Sequence, residues 1–441
     1  MMEFRDMKMP KALIRALDDM ELKQPSPIQE QVFSVVKAGR NVNGIAQTGT
    51  GKTLAYLLPI LSLHQFSNAR NPSVMILVPT RELVRQVEEE IVRLTPYMTV
   101  RVFGIFGGVN TKPQAEKIME GLDIIVGTPG RVADFVNTGV LALKNIKRLV
   151  IDEFDEMLNQ GFRAQLKMIL DKMPERRQNL LFSATINPEV EEMMEEYFEM
   201  MDQVEVAPAG KPLETIHQVK YEVPNFYSKV NLLEIILKAP EITRALVFVG
   251  NKKRAELLYD TLIESGIDNL SYMHANKNQN RRFETLDDFE LGNSRIMIAT
   301  DLLARGLDIK DVSHVINFDL PEIEESYIHR IGRTGRFGKK GVAISFVSEN
   351  DGEMMNNLEE LMGLRVPSSE LPDSYKVSET LLSEEIPSIY MPDYLGNHNQ
   401  KLVGTAFHEK AEHNQKTNVR FDYEAAMKKK YKKQYRPKNA R

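Results

Sequence analysis

The eight residues Ala46-Gln-Thr-Gly-Thr-Gly-Lys-Thr53 constrain this chain more than any other stretch. They follow the short run 42–46 and precede the apolar, helix-patterned stretch 54–63. Glycines between a strand and a helix let backbone N–H groups turn inward, and the helix N-terminus adds the positive end of its dipole. The pattern is that of a phosphate-binding loop, with Ala46 where the general form has its first Gly. Thr48, Gly49, Thr50 and Gly51 are expected to wrap phosphates, and Lys52 to reach the outer ones. The Thr53 hydroxyl is expected on Mg2+, which keeps mostly oxygen and water ligands. A Gly-Thr-rich turn is the plain alternative; the strand before and the helix after weigh against it.

Further along, the apolar run Leu149-Val-Ile151 empties into Asp152-Glu153-Phe154-Asp155. A strand ending in two carboxylates supplies the second half of a nucleoside triphosphatase site. Asp152 would hold Mg2+ through water, and Glu153 would orient and deprotonate the attacking water. An acidic helix cap is the alternative, and the phosphate loop upstream changes the odds against it.

Near-continuous apolar runs recur along the chain: 74–78, 124–126, 149–151 and 180–182, then 245–249, 296–298, 315–318 and 342–347. Such runs suit strands buried on both faces. Helix-patterned stretches such as 82–94 and 163–173 lie between them. The alternation predicts an α/β fold with parallel sheets covered by helices on both faces. Ala207-Pro-Ala-Gly-Lys-Pro212 breaks the pattern, which then restarts. Two tandem domains are expected, 1–206 and 215–366, joined by a linker at 207–214. An extension, 367–441, follows, polar and Pro-punctuated, with a helix expected before it, ending near Leu364.

A chain of 441 residues has room for about three units of roughly 150 residues, or two plus tails. It contains no cysteine, so disulfides, zinc ribbons and thiol chemistry are excluded, and a reducing compartment fits. Its 8 histidines show no metal-ligand spacing. No apolar run approaches the ~20 residues of a membrane span, and residues 1–10 do not read as a signal peptide. We expect a cytoplasmic monomer without membrane association. The net charge is −5, although residues 428–441 hold no acid and are rich in Lys and Arg, so the body is more acidic than that figure. Lys428-Lys-Lys-Tyr-Lys-Lys-Gln-Tyr435 interleaves charge with two rings, which suits RNA tethering; a solubilising disordered end is the alternative.

Taken in order, further motifs join these. Pro25-Ser-Pro-Ile-Gln29 stands at the front, with Phe4 upstream. Pro79-Thr-Arg-Glu-Leu83, Gly107-Gly108, Thr128-Pro-Gly-Arg131 and Ser183-Ala-Thr185 follow. The second half carries His274, Gln279-Asn-Arg-Arg282, Ala299-Thr-Asp-Leu-Leu-Ala-Arg-Gly-Leu-Asp308 and His329-Arg-Ile-Gly-Arg-Thr-Gly-Arg336. From about Phe4 to Pro367 the set resembles the DEAD-box RNA helicase family, with Asp-Glu-Phe-Asp in place of Asp-Glu-Ala-Asp; the acidic body and basic tail suggest a bacterial member.

The resemblance implies two RecA-like domains, an ATP-dependent RNA helicase activity, and ATP and Mg2+ as cofactors. It implies that Gln29 reads adenine with Phe4 nearby. Pro79, Thr80, Arg81, Gly108, Thr128, Pro129, Gly130, Arg131, Gln279, Arg282 and Thr300 would line the path of an RNA strand or short duplex. Arg333 and Arg336 would be arginine fingers, and Asp301 would touch the ribose or the finger network. Ser183, Thr185, Asp155 and His329 would couple the nucleotide site to closure of the two domains. Ribonucleoprotein partners are open. Five positions depart from the family: Glu21-Leu22 replaces Gly and an aromatic, Phe154 replaces Ala, Ala275 replaces Gly, and Asn251 replaces a common Thr. Phe154 and Leu22 keep a non-catalytic RNA clamp in play, while Ala275 and Asn251 bear only on local RNA contacts. A DNA-directed helicase of the same superfamily is a second rival, and a P-loop ATPase without nucleic acid a third.

Overall fold

The computed structural model describes residues 2–46, 49–185, 187–205, 215–273, 279–301 (backbone alone at 279 and 280), 312–335 and 339–386. The expected linker 207–214, His274 and Ala275, Thr48, Arg336 and the basic tail lie outside the described residues.

Two all-parallel sheets organise the chain among the described residues. The first contains β1 (Asn41–Ile45), β2 (Val74–Leu77), β3 (Val102–Ile105), β4 (Ile124–Gly127), β5 (Arg148–Ile151), β6 (Gln178–Ser183) and β7 (Met201–Glu205). Their order is β3-β4-β2-β5-β6-β1-β7. The second contains β8 (Ile216–Glu222), β9 (Ala245–Phe248), β10 (Leu270–Met273), β11 (Ile296–Ala299), β12 (His314–Asn317) and β13 (Gly341–Val347), in the order β10-β11-β9-β12-β13-β8. Each is a doubly covered parallel sheet, as the alternation predicted.

Side chains alternate across a strand, so each buried strand feeds two cores. In β2, Val74 and Ile76 pack into one cluster while Met75 and Leu77 pack into another. In β9, Ala245 and Val247 face one core, and Leu246 and Phe248 the opposite one. This two-sided burial explains the unbroken apolar runs.

The four edge strands, β3, β7, β8 and β10, lack such runs, and so does the interior strand β1, where Asn43 is buried. The helix expected after β13 spans Gly352–Met362. Beyond it, residues 366–386 carry no helix or regular strand, yet they are docked. Lys220 of β8 forms a parallel bridge with Ser368, and Tyr375 and Leu382 pack against the second-sheet core. No described helix is long and apolar enough to cross a membrane.

Candidate functional site

In parallel sheets, ligands collect at the carboxyl ends of strands. Here β5, β6 and β1 are neighbours, and their ends deliver Asp152-Glu153, Ser183-Ala-Thr185 and the phosphate loop side by side. Gly49 (φ +83) and Gly51 (φ +89) put the loop in the left-handed region, and helix Lys52–Ser62 starts directly after. A Cβ on Gly51 would collide with the Gln29 amide.

Gln29 is buried and ties the front motif to the loop. Its Nε2 donates to Gly51 O (3.1 Å), its Oε1 accepts from Ser26 N (2.9 Å), and Ser26 Oγ donates to Thr50 O (2.8 Å). One amide N–H and one lone pair of Gln29 remain uncommitted by these bonds. Phe4, expected beside the nucleotide, is buried in the first-lobe core. Leu22 packs partly on the same core. Glu21, where the family has Gly, keeps the left-handed backbone (φ +59).

All four residues of the acidic motif are buried. Both Asp152 oxygens accept bonds: Oδ2 from Tyr56 Oη (3.1 Å) and Oδ1 from Glu153 N (3.0 Å). Burial pushes the Asp152 carboxyl up, opposed by the Lys52 charge and the Tyr56 bond. Burial likewise raises Glu153, opposed first by Arg333, then by His329 and Lys52. Glu153 holds left-handed backbone (φ +51), and its Oε2 is enclosed with no hydrogen-bond partner among the described residues. Lys52 Nζ is enclosed in the same way. A buried ammonium lacking a hydrogen-bonded anion is costly, which marks a place prepared for one. Thr53 is half-buried at the start of the same helix.

Asp155 behaves differently. Burial would raise it, but His329, Lys52 and Thr185 hold its carboxyl well below the usual range. Its Oδ2 accepts from Thr185 N (2.9 Å), Thr185 Oγ1 (2.7 Å) and Ala184 N (3.2 Å). Ser183 Oγ donates to Thr185 O (2.7 Å) and accepts from Asp155 N (3.4 Å). His329 Nε2, from the second lobe, stands 3.7 Å from Asp155 Oδ2. The Phe154 ring, 1% exposed, points into the core edge-on to Phe198, so its bulk stays out of the site.

From the second lobe, Arg333 is 2% exposed and its Nε donates to His329 O (3.1 Å). Asp301 is held by Arg330, whose Nη2 reaches Oδ2 at 2.7 Å. Arg330 also donates to Asp319 O (2.6 Å). Thus the first arginine of the run is an anchor and the second faces the acidic motif.

The expected strand path is a cleft of about 720 Å3 lined by Pro79, Thr80, Arg81, Gly107, Thr128, Gly130, Arg131 and Arg282. Helices Arg81–Leu94 and Pro129–Asn137 both begin at it, with Thr80 and Thr128 as their N-caps and Pro129 opening the second. Gly108 (φ +77) presses against the Arg81 guanidinium, where a Cβ would collide.

Two of the expected strand ligands are committed elsewhere. Arg131 turns inward to Gln114 Oε1 (3.2 Å) and Val109 O (3.1 Å), bracing the Gly107-Gly108 turn. Arg282 pairs across the lobes with buried Glu82 (2.7 Å). Thr300 is half-buried just after β11, and Gln279 opens helix Gln279–Glu290.

Sequence reasoning overlooked Tyr56, Glu82 and Arg330. Each had a signal. Tyr56 lies one helical turn after Lys52, on the same face. Glu82 sits inside a motif already singled out, and Arg330 inside the arginine run.

The fold and the site define a two-lobed P-loop nucleoside triphosphatase of helicase type. Residues 26–193 match the DEAD/DEAH box helicase family and residues 228–338 the Helicase conserved C-terminal domain. The chain is 34% identical over 382 residues to the ATP-dependent RNA helicase DbpA of Bacillus subtilis (strain 168), covering 86% of this chain and 78% of that protein. It is 35% identical to Eukaryotic initiation factor 4A of Caenorhabditis elegans, covering 84% and 91%. Among solved structures, S. cerevisiae Dbp5 bound to RNA and ADP BeF3 superposes with TM-score 0.78 at 31% identity, covering 84% of this chain and 96% of that one. The chain therefore belongs to the DEAD-box RNA helicase family, a family of ATP-dependent enzymes.

Proposed function

We propose that this chain hydrolyses ATP in response to single-stranded RNA and uses lobe closure to separate short duplexes locally and non-processively. The observation that carries the reading is one charge cluster fed by both lobes. Lys52, Asp152, Glu153 and Asp155 come from the first, and His329 and Arg333 from the second. Neither lobe alone completes it, so bringing them together gates the chemistry.

In this reading, Thr48, Gly49, Thr50 and Gly51 cradle the phosphates and Lys52 meets the outermost ones. The uncommitted N–H and lone pair of Gln29 match the adjacent acceptor and donor on the adenine edge. Phe4 then supports that region from the core instead of touching the base. Thr53 and Asp152 would hold Mg2+, which fits a hydroxyl and a fixed carboxylate, while the enclosed Lys52 ammonium suits phosphate. Mg2+, when bound, neutralises charge developing on the phosphoryl oxygens. Glu153 orients water and takes its proton, an assignment that suits a carboxylate raised by burial. Arg333 and Arg336 offset charge in the transition state. Asp155, Ser183, Thr185 and His329 link the two lobes, and Asp301 is set by Arg330.

The helix N-termini at Thr80 and Thr128, with Arg81, Pro129, Gly130, Gly108, Thr300 and Gln279, grip strand phosphates without sequence readout. Arg131 and Arg282 shape that path from behind. A strand bent by the grip cannot remain in a regular duplex. The 2′-hydroxyls offer discrimination against DNA. We place the protein in the cytoplasm as a monomer.

ATP hydrolysis with and without single-stranded RNA tests the reading, with Glu153→Gln as control. We expect stimulation that the variant abolishes and DNA fails to reproduce. Tight ATP-dependent RNA binding with no turnover above the variant's would establish the clamp reading instead. The packing of Phe154 into the core argues against that outcome.

A further inference from the structure

The strand cleft does not end at the phosphate donors. It runs on between helices Pro129–Asn137 and Arg163–Asp171, where Phe162, Met168, Asn137, Gln160, Gln165 and Asp134 are part of its lining. These residues lie outside every motif assigned to nucleotide or phosphate. Their chemistry also differs: an aromatic ring and a thioether flanked by three neutral amides, with the Asp134 carboxylate beside them and the one nearby ammonium, Lys172, bonded to Asn137.

The amides are partly spoken for, in a way that leaves definite capacity. Asn137 Oδ1 accepts from Lys172 Nζ (2.8 Å), which leaves the amide N–H groups of Asn137 as donors. Gln160 Nε2 donates to Glu156 Oε1 (2.7 Å), which leaves the Gln160 carbonyl as an acceptor. Gln165 Oε1 is shielded from solvent and has no hydrogen-bond partner among the described residues. A shielded carbonyl without a donor carries a penalty that a ligand N–H removes.

We propose that this end of the cleft is a nucleobase pocket: one base of the gripped strand turns in beside Phe162 and Met168, and its edge bonds to Gln165, Gln160 and Asn137. Unstacked bases are recognised in this way, by an aromatic face plus amides on the base edge. Continuity decides the occupant. The same cleft presents two helix N-termini and Arg81 to phosphates, so the group next to a held phosphate is the sugar and base of that nucleotide. The pocket rests on the strand-binding reading above. It adds one position at which the presence of a base, and not backbone alone, affects affinity.

The test is an abasic walk. A ten-nucleotide RNA is made with a single abasic site at each position in turn, and its affinity for the full chain is measured with a non-hydrolysable ATP analogue. We expect one position at which base removal weakens binding about tenfold, a figure within the usual range for one stacked base. In Gln165→Ala, and independently in Phe162→Leu, the intact RNA should bind about as weakly as the abasic RNA, and the abasic penalty should shrink. Phe162→Leu keeps apolar bulk against the core, and Gln165→Ala removes no core atoms, so one variant remains informative if the other folds poorly. Tight binding of intact RNA with no sensitive position overturns the pocket and leaves the RNA-dependent ATPase reading standing. A sensitive position whose penalty persists unchanged in both variants places the base elsewhere and also overturns it. No ATP-dependent binding of any RNA overturns the underlying reading as well.

Discussion

Two glutamates share a backbone conformation that L residues rarely adopt, and they differ in why. Glu21 (φ +59) is exposed and stands where the family places Gly. Glu153 (φ +51) is buried and opens helix Phe154–Asn159. Left-handed backbone costs a non-glycine residue about 1 kcal/mol or more. At Glu21 no side-chain hydrogen bond or ion pair among the described residues offsets that, so Glu21→Gly should stabilise the protein by about 1 kcal/mol. A shift of the urea midpoint to higher concentration, with unchanged slope, checks it. At Glu153 the same conformation aims a carboxylate into the site, and strain there accompanies function.

Tyr56 makes a sharper case. Its ring packs on Phe182 at 5.3 Å, while its hydroxyl holds the Asp152 carboxylate. Burial, together with Asp152, raises the phenol well above its ordinary value, so it remains a donor at any working pH. Tyr56→Phe keeps the packing and loses the bond, which for a charged acceptor is worth about 1.5–3 kcal/mol. We expect the Mg2+ concentration for half-maximal ATPase to rise about tenfold while the RNA requirement holds. An unchanged Mg2+ titration would refute a positioning role.

Acid sensitivity also belongs to single residues. Asp155 is held below the carboxylate range, and so is Asp123, where burial is outweighed by the Arg101 guanidinium (2.7 Å). A depressed folded pKa contributes stability above the unfolded value, near 3.9, and loses it as pH falls toward the folded value. Stability should therefore decline below about pH 4, and Asp123→Asn should flatten the decline in urea titrations run from pH 5 downward.

Elements were legible in proportion to their burial. Every interior strand except β1, whose Asn41 and Asn43 break the pattern, announced itself as an apolar run, because both faces meet a core. The four edge strands did not. In β7, Met201-Asp-Gln-Val-Glu205 buries one residue in five, and in β8 Ile216 to Glu222 buries two of seven. A polarity pattern cannot separate such strands from loops. At the candidate site, grouping was legible where residues share a short motif: Lys52 and Asp152 do come together. What failed was the direction of individual side chains. Arg131 and Arg282 carry the residue type expected of strand contacts, yet their partners, Gln114 and Glu82, lie too far along the chain for spacing to reveal.

The docked segment 366–386 was likewise invisible to periodicity, since it uses capping bonds in place of regular structure. Glu385 shows how. Its Oε1 accepts from Phe226 N (2.7 Å) and its Oε2 from Leu382 N (2.9 Å). Asn225 and Ser228 bond to the Ser378 carbonyl and amide respectively. Beside β8, Lys220 N donates to Pro367 O and Ser369 N to Lys220 O, which covers part of an edge that would otherwise invite pairing. Glu385→Ala should cost about 1–2 kcal/mol of stability, read by chemical denaturation, with RNA-stimulated ATPase per folded molecule unchanged.

At the scale of the molecule, the lobes are tied in two separate places. Beside the strand cleft, Glu82 pairs with Arg282 (2.7 Å) and Arg85 pairs with Asp287. The Phe106 and Phe283 rings meet edge-on at 6.1 Å, and the Arg85 guanidinium lies 5.0 Å from the Phe283 ring centre. Beside the nucleotide loops, His329 meets Asp155. The polarity of the first tie is crossed: acid to base in one pair, base to acid in the other. Sliding either face by a turn brings like charges together, so the pairs select one register.

A body fastened at one point can still pivot, whereas a second fastening some way off removes the twist. Loosening the cleft-side tie alone, as in Phe283→Asp, would leave the lobes joined at Asp155 and His329 but able to rock about that point. On the proposed closure, such a variant is expected to hydrolyse ATP and to separate fewer duplexes per ATP, which unwinding assays alongside ATPase would read.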